Sequence, residues 1–434
     1  MEVIRKKESA AILQSLGGGV VPRTGLEHVI VGRKQEIEQV LQELQAVQEG
    51  AGMIKMIIGD YGTGKSFFLS VTRHIALKMK FVTCDADFTP ERRLYATDGK
   101  AVATYSELMR NMSTATRPDG GALSAILEKW ISQVQSQVAV EKGFLDAAID
   151  HPEFVQAVRS AIVQQIAGIE ELVGGYDFAK VINAYFTGYI DSDSVRMGQA
   201  LRWLRGEYHT KTEARQDLGV RDIIHDGNYY EYLKIMSTFV TAIGYSGLLI
   251  LLDEAVNLYK ITHPQSREKN YEKILSIYND GMQGKAEHLY VLISGTPEFL
   301  DNERKGLFSY PALKSRLMAN RFETDEYRDL NQPVIQLTPL QIEETFVLLQ
   351  KIRAIHEAHY QYDSHVSDEE IRVFLQAFYS RPGAKEFLTP REILRDFIGA
   401  INLLQQHPGM DRQQVFASVT KAETNSSLFA RFQG

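Results

Sequence analysis

A glycine-rich segment between a predicted strand and a predicted helix constrains the fold of this chain most. Residues 59–66 read Gly-Asp-Tyr-Gly-Thr-Gly-Lys-Ser, which fits the pattern G-x-x-x-x-G-K-[ST]. The apolar run Ile54–Ile58 precedes the segment, and Phe67–Lys80 has the pattern of a helix. Such a loop turns backbone N–H groups towards one anion, and the following helix adds its positive dipole end. A chance match on a glycine-rich turn would not need both flanks, so we predict a phosphate-binding (Walker A) loop.

The residue types in this loop predict how it binds a nucleoside triphosphate. Lys65 is expected to reach the β- and γ-phosphates, and the Ser66 hydroxyl to ligate Mg²⁺. The expected cofactors are therefore ATP and Mg²⁺. The other residues that we expect to contact ATP at the loop are Gly59, Asp60, Tyr61, Gly62, Thr63, Gly64 and Phe67.

A second apolar run ends in two carboxylates, as a Walker B element does. Leu248–Leu252 leads directly into Asp253 and Glu254. We expect Asp253 to hold Mg²⁺ through water, and Glu254 to orient and deprotonate the attacking water. The alternative is a buried strand whose following residues cap a helix. The phosphate loop upstream favours the ATPase interpretation.

The next predicted strand, Leu289–Ile293, ends in polar residues. In ATPases whose sheet has a strand between the phosphate loop and Walker B, the end of that strand carries a polar side chain near the γ-phosphate. Ser294 and Thr296 are candidates for this sensor role. The alternative is the ordinary hydrogen-bonding chemistry of a turn.

Three arginines are further candidates. Arg316 and Arg321 precede the last predicted strand, Val334–Leu337. One of them is expected to act as an arginine finger in a neighbouring subunit, or else both form surface salt bridges. Arg391 follows Thr389 in a capping box that begins a helix. A cation in a first helical turn opposes the dipole, which indicates an anionic partner, either a nucleotide phosphate or a carboxylate.

Five strands that alternate with helices predict an α/β fold with a parallel sheet covered on both faces. Phe81–Ala86 is the remaining strand. The region between that strand and Walker B has mainly helical patterning, which predicts a helical insertion. The predicted domains are an N-terminal arm (1–27), an ATPase core (28–113 and 225–338), the insertion (114–224) and a C-terminal helical lid (339–434).

Composition excludes several classes of protein. The net charge of −7 gives no general attraction to nucleic acid, so DNA binding would require a local basic patch. The basic residues between Arg202 and Arg221 alternate with acidic ones, which favours a solvated face. The single cysteine, Cys84, excludes an internal disulfide and suits a reducing cytoplasm, where we expect the protein to act. No apolar run approaches the roughly 18 residues of a membrane span, so no membrane association is expected.

These motifs together resemble the AAA+ class, in the branch that contains initiator-type and signalling ATPases. Gly32-Arg33 is similar to the adenine-side motif of that branch, which implies that Ile30 and Val31 pack on the base. The resemblance implies a five-stranded P-loop sheet and a C-terminal helical lid. It further implies that Ser294 or Thr296 is sensor 1, Arg316 or Arg321 the finger, and Arg391 sensor 2.

A closer resemblance is to the bacterial ATP-binding proteins of BREX-type phage-defence systems. It rests on GDYGTGKSFFL (Gly59–Leu69), Ala86–Leu94, Leu201–Glu207 and Gly247–Tyr259, and it extends over most of the chain. It implies a Mg²⁺-dependent ATPase that acts in anti-phage defence or a related DNA transaction. The insertion lacks recognisable pore loops, which argues against a ring-shaped translocase.

A nucleotide-gated scaffold is the alternative function. Such a protein would bind ATP to assemble with a helicase or nuclease and would hydrolyse ATP slowly, as a switch. The intact Glu254 favours the enzyme, and the missing pore loops favour the scaffold. Further copies of this chain, a helicase or nuclease, and DNA all stay open as partners.

Overall fold

The computed structural model of the chain describes residues 4–144, 151–324, 327–380 and 389–417. The strands are β1 (Met53–Ile58), β2 (Val82–Asp87), β3 (Leu248–Asp253), β4 (Leu289–Gly295) and β5 (Val334–Gln336). The α-helices of the described residues are α1 (Lys6–Gly17), α2 (Lys34–Gln48), α3 (Lys65–Lys78), α4 (Lys100–Arg110), α5 (Leu123–Lys142), α6 (Pro152–Glu170), α7 (Gly175–Ile190), α8 (Ser194–Leu204), α9 (Lys211–Leu218), α10 (Tyr229–Ala242), α11 (Val256–Tyr259), α12 (Pro264–Met282), α13 (Pro297–Asp301), α14 (Pro311–Leu317), α15 (Ile342–Tyr360), α16 (Asp368–Tyr379), α17 (Pro390–Gln406) and α18 (Arg412–Ala417).

The strands form one parallel sheet in the order β2-β3-β4-β1-β5. β3 pairs in parallel with β2 and with β4. Beside β1, Met56 N donates to Pro333 O and Leu337 N donates to Ile58 O, each at 2.7 Å. The residue numbers rise together along the two strands, as they do in a parallel pair. The α/β class and the five-stranded parallel sheet that the sequence predicts are confirmed.

The strands are apolar along most of their length because a parallel sheet has both faces covered. In β3, all residues from Leu248 to Leu252 are buried. Lys55 on β1 is an exception, since it is charged and only 3% exposed. Its ammonium forms an ion pair with Glu43 and donates to Leu330 O at 2.7 Å, and the Tyr290 hydroxyl also donates to Glu43. Burial lowers the pKa of Lys55, against the opposing effect of Glu43.

The chain divides into two compact units. The first comprises Met1–Glu38, Ile58–Thr72 and Gln336–Gly434, so far as these residues are described. Its core is helical: α1 packs against α15 and α17, and α16 packs against α18. The rings of Phe397 and Phe416 lie 5.4 and 5.7 Å from that of Phe374 at the centre of this core.

The second unit comprises Gln39–Ile57 and Arg73–Ile335, and it contains most of the sheet. It also contains α5 to α9 in the region where the sequence predicts an insertion. Aromatic side chains join these helices to α10, since the Trp130 and Phe178 rings meet the Phe239 ring at 5.3 and 5.5 Å. The predicted domain boundaries, including those of the insertion and of the lid, stay a prediction.

The basic stretch of the second unit is paired with acidic side chains. Arg202 forms an ion pair with Glu213, and Lys211 with Asp222 at 2.8 Å. These pairs agree with the solvated face that the sequence predicts. None of the described helices combines the length and the apolar composition that crossing a membrane requires.

Candidate functional site

The predicted phosphate loop, residues 59–66, lies in the first unit, at the point where β1 ends and α3 begins. Gly62 has φ +85°, and a Cβ atom there would lie 2.5 Å from Cγ2 of Thr389. Both the backbone conformation and the neighbouring side chain therefore require glycine at this position. Thr63 is buried, and its hydroxyl donates to Asp60 O at 2.9 Å, which holds the loop closed.

Lys65 extends across the loop that precedes it. Its ammonium donates to Gly59 O at 2.8 Å and to Asp60 O at 2.9 Å. Helix α3 begins at Lys65, and a helix supplies no internal acceptor for the N–H groups of its first turn. An ammonium, the Ser66 hydroxyl and a helix N-terminus form a donor set that fits a polyphosphate.

The segment predicted to contact adenine is connected to the loop through Arg33. The Arg33 guanidinium donates to Thr63 O at 3.1 Å and also to Thr338 O, just after β5. Lys351 of α15 donates to Ile30 O at 2.6 Å, and Val31 packs against the helical core of the first unit. Sequence reasoning treated Arg33 only as part of a motif, and its contact with Thr63 has no signal in the local sequence.

Arg391 also lies at the phosphate loop. Thr389 and Glu392 form the predicted capping box at the start of α17, with Thr389 N donating to Glu392 at 3.1 Å. Arg391 projects from the first turn of this helix, and its Nη1 donates to the Tyr61 hydroxyl at 3.4 Å. The first unit thus brings together the loop, Arg33 and Arg391.

The predicted Walker B carboxylates lie in the second unit, at the end of β3. The Ser294 hydroxyl at the end of β4 donates to Asp253 Oδ1, and Glu254 N donates to the same oxygen at 2.8 Å. Glu254 has φ +59°, in the left-handed region that side-chain-bearing residues rarely adopt. Such a conformation often marks a functional position, because the surrounding structure must hold it.

Asp87 is a third carboxylate at this edge of the sheet, and sequence reasoning missed it. It is the last residue of β2 and pairs in register with Asp253. Desolvation raises the pKa of Asp87, the charges of Asp253 and Glu254 raise it further, and Arg92 opposes them. Like Asp253, Asp87 is a carboxylate at the end of a strand, and this position could have indicated it from the sequence.

The carboxylates at this edge do not enclose a cation by themselves. The described residues contain no group of three or more His, Cys, Asp or Glu side chains that could hold a metal ion. Mg²⁺ is usually bound by one or two carboxylates together with substrate phosphates and water. The carboxylate oxygens of Asp253 therefore fit a Mg²⁺ ion that arrives together with a nucleotide.

The remaining candidates are Thr296, Arg316 and Arg321. Thr296 occupies the N-cap position of α13 without a side-chain capping hydrogen bond, and its buried hydroxyl oxygen has no hydrogen-bond partner within the described part of the chain. Arg316 donates to Ala312 O of its own helix at 2.8 Å, and Arg321 lies over the Phe322 ring at 5.4 Å. Neither arginine contact involves the carboxylates.

Comparison with known proteins identifies the family. The family model described as BREX system ATP-binding protein BrxC/D matches residues 4–420. The chain belongs to this family. No curated protein matches the chain.

The BrxC/D match confirms the resemblance to BREX-type ATP-binding proteins. The match includes residues 59–66, the carboxylates Asp253 and Glu254 at the end of β3, and the helices α5 to α9. Membership in the BrxC/D family supports ATP as the ligand and phage defence as the setting.

Proposed function

We propose that this BrxC/D-family protein hydrolyses ATP to ADP and phosphate in a Mg²⁺-dependent reaction. One observation carries the proposal: Asp253, held by Ser294, ends β3 and Glu254 follows it, in the parallel sheet whose strand β1 leads into the predicted phosphate loop. Parallel strands have their carboxyl ends on the same edge of a sheet, which is where α/β proteins bind nucleotides.

Each residue has a separate task in this proposal. Lys65 and the first turn of α3 bind the phosphates, and Arg391 adds a second positive charge at the loop. Ser66 and Asp253 would hold Mg²⁺, which would supply neutralisation of the negative charge on the phosphates. Glu254 orients the attacking water and accepts its proton, while Ser294 keeps Asp253 in place.

The ATP-gated scaffold is the second candidate function, and an exposed apolar surface favours it. Phe322 is 79% exposed and Met318 is 56% exposed, on the segment that follows α14. Exposed apolar side chains beside an arginine are typical of protein interfaces. A second copy of the chain, a helicase or nuclease, and DNA are the proposed partners.

Location is a separate proposal. We propose that the protein acts in the cytoplasm. Cys84 is buried, and burial raises the pKa of its thiol, so little reactive thiolate forms. An unpaired thiol of this kind suits a reducing compartment.

Two substitutions test the enzyme proposal. Lys65→Ala removes the ammonium from the loop, and Glu254→Gln keeps the shape of the side chain but removes the base. ATP affinity is measured by calorimetry and turnover by phosphate release, with and without DNA. Lys285→Ala and Glu268→Gln are matched controls, since both residues are exposed and neither is part of the proposed site.

We expect Lys65→Ala to weaken ATP binding strongly without lowering the melting temperature. We expect Glu254→Gln to bind ATP normally and to turn it over about 10²–10⁴ times more slowly. Unchanged affinity in Lys65→Ala would overturn the phosphate-loop assignment. Parent-rate turnover in Glu254→Gln would show that Glu254 is not the catalytic base but a residue that caps the following helix.

A further inference from the structure

The phosphate loop carries an exposed aromatic side chain at its tip. Tyr61 is 78% exposed, at a position that the phosphate-loop pattern leaves variable. Its ring is therefore mostly in solvent and is not part of the buried core. The polar end of Tyr61 meets Arg391, whose Nη1 donates to the hydroxyl oxygen at 3.4 Å.

The start of helix α17 packs on the same loop tip. Thr389 is buried, and a Cβ atom at Gly62 would lie 2.5 Å from the Thr389 methyl carbon. The capping box fixes the position of Thr389, because Glu392 accepts hydrogen bonds from its N–H and its hydroxyl. The first turn of α17, which carries Arg391, is therefore held directly against the loop.

A turn after α1 supports Arg391 on its aliphatic side. Gly19 has φ +72°, and a Cβ atom there would lie 3.4 Å from both Cγ and Cδ of Arg391. Backbone hydrogen bonds fix this turn, from Gly18 N to Gln14 O and from Gly19 N to Leu16 O, each at 3.0 Å. The stem of Arg391 thus packs on the backbone of this turn, at van der Waals distance from the Cβ position of Gly19.

We propose that Tyr61 and the Gly17–Gly19 turn are positioning elements that hold the Arg391 guanidinium at the phosphate loop before ATP binds. The hydroxyl fixes the charged end of the side chain and the turn fixes its stem. A long side chain that is already ordered loses less rotamer freedom when it meets a phosphate. The inference rests on the proposed function, since it requires ATP to bind at this loop.

A double-mutant cycle between Tyr61 and Arg391 tests the inference. Tyr61→Phe removes only the hydroxyl, and it is made in the parent and in an Arg391→Ala background. The dissociation constant for ATP is measured for all four proteins by calorimetry. Tyr176→Phe is the control for loss of a surface tyrosine hydroxyl, and melting curves check that each variant folds.

We expect Tyr61→Phe to weaken ATP binding by about three- to tenfold in the parent, the usual effect of losing one hydrogen bond. In the Arg391→Ala background the same change should have no effect, because the group that it positions is missing. A merely structural role for Tyr61 would give equal effects in both backgrounds.

Gly19→Leu tests the other side of Arg391. A methyl group would only touch the stem of Arg391, but the atoms beyond Cβ should displace it and weaken ATP binding in the parent and not in Arg391→Ala. Gly143→Leu is the matched control, since Gly143 has a similar φ of +74° and no atom within 4 Å of its Cβ position. It reproduces the backbone strain without the contact.

The outcomes separate this inference from the proposed function. If the parent binds ATP and Tyr61→Phe has no effect, or has the same effect in both backgrounds, the positioning role is wrong while the ATP site stands. If the parent binds no ATP, both are wrong. A decrease that depends on Arg391, at Tyr61 and at Gly19 alike, supports the inference.

Discussion

The Ser294 hydroxyl donates a hydrogen bond to Oδ1 of Asp253 and so joins the ends of two adjacent strands. Ser294 is fully buried, and Asp253 Oδ1 also accepts from the N–H of Glu254 at 2.8 Å. This oxygen is therefore held from two sides. The carboxylate proposed to hold Mg²⁺ is oriented by Ser294, which lies outside the predicted Walker B segment.

Ser294→Ala should reduce the apparent affinity for Mg²⁺ in ATP hydrolysis. Loss of a hydrogen bond that orients a metal ligand typically costs about 10–100-fold in metal affinity or activity. Turnover is measured as a function of Mg²⁺ concentration at saturating ATP. Thr296→Val is the comparison, because Thr296 is the other sensor candidate and its hydroxyl has no partner in the described residues. An unchanged Mg²⁺ dependence in Ser294→Ala, with a change in Thr296→Val, would reverse the assignment.

If Arg316 or Arg321 is an arginine finger, it should act at the ATP site of a neighbouring chain. Arg321 is exposed, whereas Arg316 is partly buried and bonded to its own helix. We expect Arg321→Ala to lower turnover by about 10³–10⁵-fold and the parent rate per chain to rise with protein concentration. Arg372→Ala is a matched control, because Arg372 also lies over an aromatic ring, that of Phe346.

Mixing provides the sharper measurement of the same prediction. Arg321→Ala retains the base, and Glu254→Gln retains the arginine, so some mixed interfaces should regain both. Recovery of turnover on mixing supports a finger in trans, and the same experiment with Arg316→Ala decides between the two arginines. A rate per chain that is independent of concentration, without recovery for either variant, would make these arginines structural and favour the scaffold.

Local patterns were sufficient to predict the sheet but not the contacts around the candidate site. All five strands lie within two residues of their predicted bounds, because continuous apolar runs between breakers are a local signal. The contact between Tyr61 and Arg391 joins residues that are 330 positions apart. Neither residue carries a pattern that indicates the other, and Asp87 likewise gains its carboxylate neighbours only through the pairing of β2 with β3. The roles of the site residues stay predictions until they are tested.

The buried pair of Lys55 and Glu43 should be sensitive to the loss of one partner. Glu43→Leu would leave the Lys55 ammonium in the interior without its carboxylate and is expected to destabilise the protein by about 3–5 kcal/mol. The double variant Lys55→Met/Glu43→Leu removes both charges and should recover most of that loss. Urea unfolding measures both. If Glu43→Leu alone is neutral, the ion pair does not stabilise the strand that leads to the phosphate loop.

His356 should make stability depend on pH. The ring is fully buried between helices of the first unit, 2.9 Å from Asn402 Oδ1 and 2.9 Å from the Tyr362 hydroxyl. A neutral ring fits both contacts, donating from Nε2 and accepting at Nδ1. Burial lowers the pKa of His356 below its ordinary value, and nearby His359 lowers it further, against Asn402 and Glu357.

The direction of the pH effect follows from this lowered pKa. Above about pH 6.5 the ring is neutral in both states, so it does not affect stability. Below that pH the unfolded chain binds a proton that the folded chain does not, and stability falls by up to about 1.4 kcal/mol per pH unit until the folded pKa is reached. His356→Gln keeps polar contacts without titrating, so urea unfolding between pH 8 and 5 should show a shallower loss than in the parent. His407→Gln is the control for an exposed histidine of the same unit, and an equal slope in parent and His356→Gln would show that the His356 ring is not the source of the acid sensitivity.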